Sequence, residues 1–521
     1  MEDNSQFSTE DSRLALNSII IWLLLLIGGL IFFLINNQHE GVWYDETIAF
    51  FRATHSLKDV IFLCAKDIHP PLHFIFLWAV LRLFGNSVFF LRGLSALASI
   101  ALAALGIGPV RRLAGIKTGL IFTLLLIITP SAFEFSREMR NYSWGAFFTA
   151  GAVLYFYLAV RGNLAKDWIL AGLFGFLCVY TNYNGMIALI ISNMILFVLS
   201  LVKARDRLPA FISVNLIIAA LYVPWVVINL ENPKHTMFYS FFSVPMTIKN
   251  LVIAPFYYKL IDPPITVPVT TLPALLLILA VIIAGFIYGK KIKERYNPFV
   301  YISFAVYLLT LSSIALLMYT FNITAVSRHM FLAIGLLIFP LAYGFSFLKL
   351  PDLSGHKMGI RELLLAGLIL YPILALPLIV NMETKYINGP IKEAVSFLKD
   401  NVRDGDIFLH VEGCTTATFS YYFPRYNHYF FTNDIKNLTI NFKNYAPVVT
   451  VINDMDPVIN NNKRIWLCSS TWGVIFPSQA WLESVHLRIV SNIGNTLFPD
   501  PSSAFKSGEF MSEFLVERKR D

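Results

Sequence analysis

Charged residues are scarce in this chain. Asp, Glu, Lys and Arg make up 14% of its 521 residues, while 56% are hydrophobic. This balance excludes an ordinary soluble enzyme and favours a polytopic membrane protein. The formal net charge of +8 does not indicate nucleic acid, because the basic residues stand in short clusters between apolar runs, as topology determinants do. We therefore expect an integral membrane protein whose partners include the lipid bilayer and no nucleic acid.

Other common features are also missing. The four cysteines show no C-x-x-C spacing, which argues against a zinc module or a disulfide scaffold. The chain has no internal repeat and no low-complexity tract, and its C-terminal part has no glycine-rich phosphate motif, so we expect no nucleotide site there. No small-residue cleavage site follows the first apolar run, which is therefore interpreted as a retained span rather than a signal peptide.

Long apolar runs divide the first 380 residues. Eleven are candidate membrane spans: 16–35, 88–110, 118–135, 143–160, 168–181, 185–202, 209–230, 271–289, 298–319, 330–348 and 363–380. A twelfth run, 71–84, has 14 residues and would reach only about 21 Å as a helix, against a hydrocarbon core of about 30 Å. We expect it to be a juxtamembrane helix, because every short basic loop then lies on the cytoplasmic side, as the positive-inside rule requires.

This topology collects the polar chemistry on the outer face of the membrane. Near Asn381 the composition changes, and helical and extended patterns begin to alternate, which is typical of a small α/β domain. We expect a transmembrane catalytic domain over 1–380, in which 38–87 form the first external loop. An extracytoplasmic α/β domain is expected over 381–521.

The richest polar stretch runs from Trp43 to Arg92. It begins W-Y-D-E-T-I-A-F, continues K-D-I-H-P-P-L-H-F and ends L-F-G-N-S-V-F-F-L-R. Its adjacent acids, Asp45 and Glu46, follow the first apolar run closely, which places a carboxylate pair just outside the hydrocarbon, where an acid is usually functional. A solvated loop with scattered charges is the alternative for two adjacent acids taken alone.

W-Y-D-E followed by D-I-H-P-P-L, L-F-G and L-R-G-L-S-A-L resembles the first external loop of the GT-C glycosyltransferases. The resemblance is to the group of protein O-mannosyltransferases and the aminoarabinose transferase acting on lipid A. It implies a GT-C fold with about eleven transmembrane helices plus juxtamembrane helices. It also implies a hexosyl or pentosyl transferase that moves a monosaccharide, with inversion, from a polyprenyl-phosphate carrier to an extracytoplasmic protein, lipid or cell-envelope glycan.

Sugar transfer from a lipid phosphate needs a base for the acceptor's proton and cations for the leaving phosphate. Asp45 matches the catalytic aspartate of the family's first loop and is the candidate base. Glu46 joins it in the candidate catalytic group as an orienting or hydrogen-bonding neighbour. Glu138 lies in a segment that resembles the family's second external loop, where an acidic residue assists the site. Whether a divalent cation binds at the acids stays open, because the sequence does not identify a set of ligands for it.

Basic residues supply candidates for binding the carrier phosphate. Arg137 and Arg140 would share one face of a helical turn and could grip a phosphate bidentately, although Arg is also a common interfacial anchor. His69 occupies a position where the family has a lysine or a histidine at the carrier phosphate, so its binding should depend on its charge. His73 stands four residues further on, but intervening prolines and the lack of a third ligand argue against a metal there.

The remaining candidates lie at the ends of later spans. Arg328 resembles the family's arginine near the carrier phosphate, and His329 follows it. Tyr142 and Tyr183 could face the carrier or the sugar hydroxyls, and membership of the aromatic belt is their alternative. The alternative function is a polytopic transporter of lipid-linked or small solutes. Transporters place ionisable residues at mid-membrane between repeated halves, whereas these spans are nearly free of charge.

Overall fold

A computed structural model gives the fold of most of the chain. The structure describes residues 3–35, 37–38, 41–67, 69–231, 297–321, 328–347, 391–411, 413–432, 444, 448–462, 464–470, 487–492 and 511–518. The predicted spans 271–289 and 363–380 and the predicted outer loop that follows Glu231 lie outside the described residues. All structural statements below refer to the described ones.

Helices form the described part of the first 380 residues. In chain order they are α1 (Asp3–Leu34), α2 (Tyr44–Thr54), α3 (Leu57–Ala65), α4 (Leu72–Phe84), α5 (Val88–Ala104), α6 (Arg111–Ile128), α7 (Pro130–Phe135), α8 (Tyr142–Gly162), α9 (Ala165–Val179), α10 (Tyr183–Lys203), α11 (Leu208–Glu231), α12 (Phe299–Thr320), α13 (Arg328–Phe331) and α14 (Ile334–Ser346). Nine of the eleven predicted spans correspond to these helices. A π-helical turn, Gly106–Val110, follows α5, and a 3-10 turn, Arg205–Arg207, precedes α11.

Five helical stretches in the described residues are long and apolar enough to cross a membrane: Val88–Ile128, Tyr142–Gly162, Tyr183–Lys203, Arg205–Glu231 and Phe299–Thr320. Three shorter apolar helices accompany them, at Ile19–Leu34, Leu72–Phe84 and Ile334–Ser346. The chain is therefore an integral, mostly helical membrane protein, as its composition predicts.

The run predicted to be juxtamembrane is the helix α4. It has 13 residues and a length of about 20 Å, which is too short to span the hydrocarbon core. Its start is set by Pro71, which takes the N-cap position, and its end by Gly85, whose φ of 66° lies in the region that favours glycine. Local sequence chemistry thus fixes both ends of the helix.

The longest apolar stretch is a hairpin rather than one continuous helix. Gly115 interrupts α6 with φ 87° and ψ 169°, at the position where the basic residues predict a loop. The two arms approach closely, since a Cβ on Gly106 would lie 2.5 Å from the carbonyl oxygen of Gly119. Arg112 at the turn makes a bidentate pair with the buried Asp167 of α9, at 2.6 and 2.7 Å. This pair joins the hairpin to α9.

The C-terminal part is an α/β domain. Its described elements are α15 (Ile391–Asn401), β1 (Ile407–His410), α16 (Gly413–Tyr422), β2 (Asn427–Phe431), β3 (Val449–Ile452), α17 (Asp456–Asn461), β4 (Arg464–Ser470), β5 (Leu487–Asn492) and β6 (Met511–Arg518). They form one sheet in the order β3-β2-β1-β4-β6-β5. The first four strands in this order are parallel, and β6 runs antiparallel to β4 and β5.

The central strands are buried on both faces, as expected for parallel sheets covered by helices. Phe408 and Trp466 pack with α15 and α16 on one face. Leu409 and Leu467, one position further along each strand, pack with α17 on the other face. This alternation confirms the predicted α/β character of the region.

Helix α2 lies between the membrane helices and the C-terminal domain. Every residue from Glu46 to Ala53 is buried, and the helix contacts both α4 and α16. A helix that is covered all round belongs to a protein core rather than to a surface loop. The segment predicted to form the first external loop is therefore an integral part of the fold.

Candidate active site

Asp45 lies in the first turn of α2. The chain enters this helix from Trp43, whose backbone is extended (φ −91°, ψ 174°). Its backbone N–H donates to Glu46 Oε2 at 3.4 Å, which closes the first turn. A carboxylate is favoured at a helix N-terminus by the exposed N–H groups and the helix dipole. The Asp45 side chain is 20% exposed, so it is accessible while its backbone is fixed.

Two arginines from distant segments flank the Asp45 carboxylate. Arg140 Nη2 lies 3.7 Å and Arg328 Nη1 3.6 Å from Asp45 Oδ2. Arg140 also donates to the Asp45 backbone carbonyl at 3.3 Å. The fold therefore joins a carboxylate from α2, a cation from the connection between α7 and α8, and a cation from α13. This gives one site both a proton acceptor and two anion-binding groups.

His69 orients Arg140 and is uncharged. Arg140 Nη2 lies 3.2 Å from His69 Nε2, and because a guanidinium can only donate, the imidazole nitrogen accepts this hydrogen bond. Burial lowers the pKa of His69 to about 3, helped by the nearby Arg140 and opposed by Asp67. The ring is therefore neutral at physiological pH. The expectation that its charge would vary near neutral pH is wrong for this environment.

His73 ties α4 to the connection between α7 and α8. Its ring is fully buried, and Nε2 donates to the backbone carbonyl of Met139 at 3.3 Å. Burial lowers the pKa of His73 to about 3. His329 behaves similarly, since burial and the adjacent Arg328 lower its pKa to about 3. Both histidines are therefore neutral in this fold.

Glu46 forms a buried ion pair with Arg92. Arg92 Nε and Nη2 donate to the two Glu46 oxygens at 2.8 and 2.6 Å, and the Met139 N–H donates to Glu46 Oε1 at 2.9 Å. Arg92 also donates to the carbonyls of Asn37 and Gly41, at 2.7 and 3.0 Å. Glu46 thus holds α2 against α5 and against the connection between α7 and α8. This is the geometry of an orienting neighbour rather than of a proton acceptor.

Arg137 and Arg140 do not share a helical face. Helix α7 ends at its sixth residue, Phe135, and the Ser136 hydroxyl donates to the Phe133 carbonyl at 2.5 Å, which competes with continuation of the helix. Residues 136–141 are consequently non-helical. The helical spacing that grouped the two arginines does not apply.

Arg137 points to a different part of the fold from Arg140. Its Nη2 donates to the Ile35 carbonyl at the end of α1, at 3.0 Å. Its guanidinium lies 4.7 Å from the centre of the Phe133 ring. These contacts fit the anchor interpretation, and the structure brings Arg140 and Arg328, not Arg137, to Asp45.

Of the other predicted residues, Tyr142 contacts Arg140, and Glu138 and Tyr183 have other partners. Glu138 is 5% exposed, and its backbone carbonyl accepts from Ser95 Oγ at 2.6 Å; its assisting role stays a prediction. Tyr142 begins α8, and the Arg140 guanidinium lies 5.8 Å from its ring centre. Tyr183 begins α10 and accepts a hydrogen bond from Trp225 Nε1 at 3.3 Å.

A second buried charge cluster was not predicted. Arg52, at the far end of α2, is fully buried and pairs with Asp67 at 2.7 Å. Its Nε donates to Asn444 Oδ1 of the C-terminal domain at 3.1 Å. The one available signal was an arginine directly after an apolar run, I-A-F-F, within reach of an acid. Arg92 gave the same signal, and its pairing with Glu46 was also not predicted.

The site shows no ready ligand set for a metal. Within the described residues, no group of three or more His, Cys, Asp or Glu side chains could hold one. Glu46 is saturated by Arg92 and the Met139 N–H, and Asp45 faces two guanidinium groups. The divalent cation considered for these acids stays a prediction, and these two acids do not fit it.

Comparisons with known proteins support the GT-C assignment. The family model of dolichyl-phosphate-mannose-protein mannosyltransferase matches residues 68–228. A search of curated proteins finds no match by sequence. Among solved structures, ArnT from Cupriavidus metallidurans bound to undecaprenyl phosphate aligns with TM-score 0.59 and 12% identity, over 90% of this chain and 96% of that one. The apo state of the same ArnT aligns with TM-score 0.61 and 11% identity, over 97% and 98%.

At this identity, the structural likeness establishes the fold. The chain has the GT-C fold, with its helical membrane part and a C-terminal α/β region. The family model covers less than a third of the chain and shows a resemblance. The resemblance to protein O-mannosyltransferases and ArnT that the first-loop motifs predict is confirmed.

Proposed function

We propose that this protein is a membrane glycosyltransferase that moves a monosaccharide from a polyprenyl-phosphate carrier to an extracytoplasmic acceptor, with inversion. The observation that carries the proposal is the placement of Asp45 between Arg140 and Arg328 at 3.7 and 3.6 Å. The mannosyltransferase family match supports the sugar-transfer chemistry. The ArnT of like fold, bound to undecaprenyl phosphate, supports a polyprenyl-phosphate donor.

The reaction follows from the charges at this centre. The Asp45 carboxylate accepts the proton of the acceptor hydroxyl, and the hydroxyl oxygen forms a bond to the anomeric carbon from the face opposite the phosphate. The bond between that carbon and the phosphate oxygen breaks, and its electron pair stays on the phosphate. Arg140 and Arg328 stabilise the added negative charge. One displacement inverts the anomeric centre.

Buried polar atoms of Arg140 and of residues beside the two arginines support a polar ligand at this place. Four such atoms have no hydrogen-bond partner among the described residues: His73 Nδ1, Arg140 Nε, Asn141 Oδ1 and His329 Nδ1. A buried polar atom without a partner costs free energy. Donors and acceptors of this kind match phosphate oxygens and sugar hydroxyls, and a bound donor would remove that cost.

The direct test is donor cleavage. The purified protein in lipid nanodiscs should release free undecaprenyl phosphate from one member of a panel of undecaprenyl-phosphate hexoses and pentoses when an acceptor extract is present. Binding without cleavage of any donor would contradict the enzyme and favour the transporter.

The arginine pair can be tested by binding. Arg140→Ala and Arg328→Ala should each weaken undecaprenyl phosphate binding by about 10- to 150-fold, because a hydrogen bond to a charged group contributes about 1.5–3 kcal/mol. Arg82→Ala is the control, since Arg82 is exposed and donates to the Thr54 and His55 carbonyls. Unchanged affinity in both site variants would show that the two arginines do not bind the phosphate and would favour a role as interfacial anchors.

The outward position of the site is a separate part of the proposal. A cysteine placed at the exposed Asn460 of α17 should react with an impermeant reagent from outside intact cells. A cysteine at Asp206, whose side chain is 69% exposed in the turn before α11, should react only after permeabilisation. The reverse pattern would place the C-terminal domain and Asp45 on the cytoplasmic side.

A further inference from the structure

The C-terminal domain reaches the candidate active site through Trp43. The indole ring is 5% exposed and belongs to the hydrophobic core of the C-terminal domain, with Leu398, Phe408 and Trp466. The Arg328 guanidinium carbon lies 5.9 Å from the centre of the same ring. One side chain of the first external segment is therefore shared between the core of a distant domain and a cation of the site.

The backbone before α2 is also held by the C-terminal domain. The Val42 N–H donates to the Tyr422 hydroxyl. A side chain at Gly41 would crowd the domain, because a Cβ there would lie 3.0 Å from Ile391 Cγ2. The domain thus fixes the two residues immediately before Trp43, and the position of the indole follows.

The far end of α2 is held in the same way. Arg52 Nε donates to Asn444 Oδ1 at 3.1 Å, and the His55 ring lies 2.8 Å from the Asn444 carbonyl oxygen. Between the two ends, the Phe50 ring packs edge-on against Tyr421 with centres 4.9 Å apart. The helix that carries the candidate base is therefore aligned by the C-terminal domain along its whole length.

We infer that Trp43 is a positioning residue, through which the C-terminal domain fixes the Arg328 guanidinium over Asp45. This inference rests on the proposed function. Arg328 is a long side chain that is 29% exposed, so its rotamers are free to vary unless a neighbour selects one. A guanidinium within about 6 Å of an indole centre is attracted to the ring. The indole, itself immobilised by the domain core, selects the rotamer that reaches the carboxylate.

The test is a double-mutant cycle in the full-length protein. Trp43→Ala should weaken undecaprenyl phosphate binding by about 3- to 30-fold, the range expected for loss of a cation–π contact. Trp43→Phe keeps an aromatic face and should restore most of the affinity. In an Arg328→Ala background, Trp43→Ala should cause no further loss. Leu398→Ala is the matched control, because it removes packing from the same core and keeps the indole.

All variants are compared at a temperature at which each is folded, as judged by its unfolding midpoint. Leu398→Ala should lower that midpoint and leave the affinity within about twofold of the parent. Equal losses from Trp43→Ala with and without Arg328, or an equal loss from Leu398→Ala, would show that Trp43 only stabilises the domain and would overturn the inference.

A parent that does not bind undecaprenyl phosphate would contradict the proposed function without deciding the role of Trp43. The same double-mutant cycle is therefore repeated with the unfolding midpoint as the measured quantity, because that measurement needs no donor. Non-additive losses for Trp43→Ala and Arg328→Ala, together with additive losses for Leu398→Ala and Arg328→Ala, support the contact. Additive losses in both cycles overturn it.

Discussion

Replacing Asp45 by Asn should lower turnover without weakening carrier binding. The amide keeps the shape of the side chain but cannot accept the acceptor's proton, and general-base catalysis contributes about 10²- to 10⁴-fold. Turnover should fall by at least the lower figure, which is about 2.7 kcal/mol of activation free energy. The carboxylate also competes with the donor phosphate for Arg140 and Arg328, each within 4 Å.

Each of those partly exposed pairs contributes about 0–1 kcal/mol. Removal of both pairs should therefore leave undecaprenyl phosphate binding unchanged, or tighten it by about 30-fold at most. The measurements are initial rates of carrier release at saturating donor and a binding titration with undecaprenyl phosphate. The control is Asp59→Asn, because Asp59 is an exposed acid in the helix that follows α2. An Asp45→Asn protein that transfers sugar at the parent rate would exclude Asp45 as the base, and weaker carrier binding would refute the competition between carboxylate and phosphate.

Three further predictions follow from the buried groups. Glu46→Gln leaves the Arg92 charge buried without its counter-charge, so the free energy of unfolding should fall by about 3–5 kcal/mol; an unchanged unfolding midpoint would contradict this. Because burial keeps His69 neutral, affinity for an undecaprenyl-phosphate sugar, a phosphodiester, should stay constant from pH 8 to pH 5.5; a gain in affinity as the pH falls through 6.5 would show a protonated ring. Burial lowers the pKa of His428 to about 4, so His428 is protonated at a higher pH in the unfolded chain than in the folded one. Its contribution to the free energy of unfolding, on the order of 3 kcal/mol, is complete above pH 6.5 and is lost as the pH falls towards 4. A midpoint for the C-terminal domain that does not change over this range would be inconsistent with a buried neutral His428.

The helical elements could be predicted because their causes are local. A membrane span is defined by its own composition, and the ends of α4 are set by Pro71 and Gly85, which act on the backbone next to them. The turn at Gly115 was indicated by the basic residues around it. The α/β character of the C-terminal part was likewise visible in the alternation of its own residues.

The partners of the buried charges could not be predicted from the same patterns. Glu46 and Arg92 are 46 positions apart, and Arg52 and Asn444 are 392 apart. Such pairs depend on how whole helices pack, and the local hydrophobic periodicity of the sequence does not determine that packing. The grouping of Arg137 with Arg140 failed for a related reason. A spacing of three residues places side chains on one face only where the backbone is helical, and here the helix has already ended.

The contacts between α2 and the C-terminal domain determine when the site can form during synthesis. Val42 and Tyr422 are separated by 380 positions of the chain. Translation at about 5–20 residues per second takes roughly 20–80 s to cover that distance. The segment that carries Asp45 therefore leaves the ribosome well before the residues that cover it are made. A nascent chain can insert its first helices into the bilayer and still lack an assembled site until translation has passed Tyr422 and Asn444.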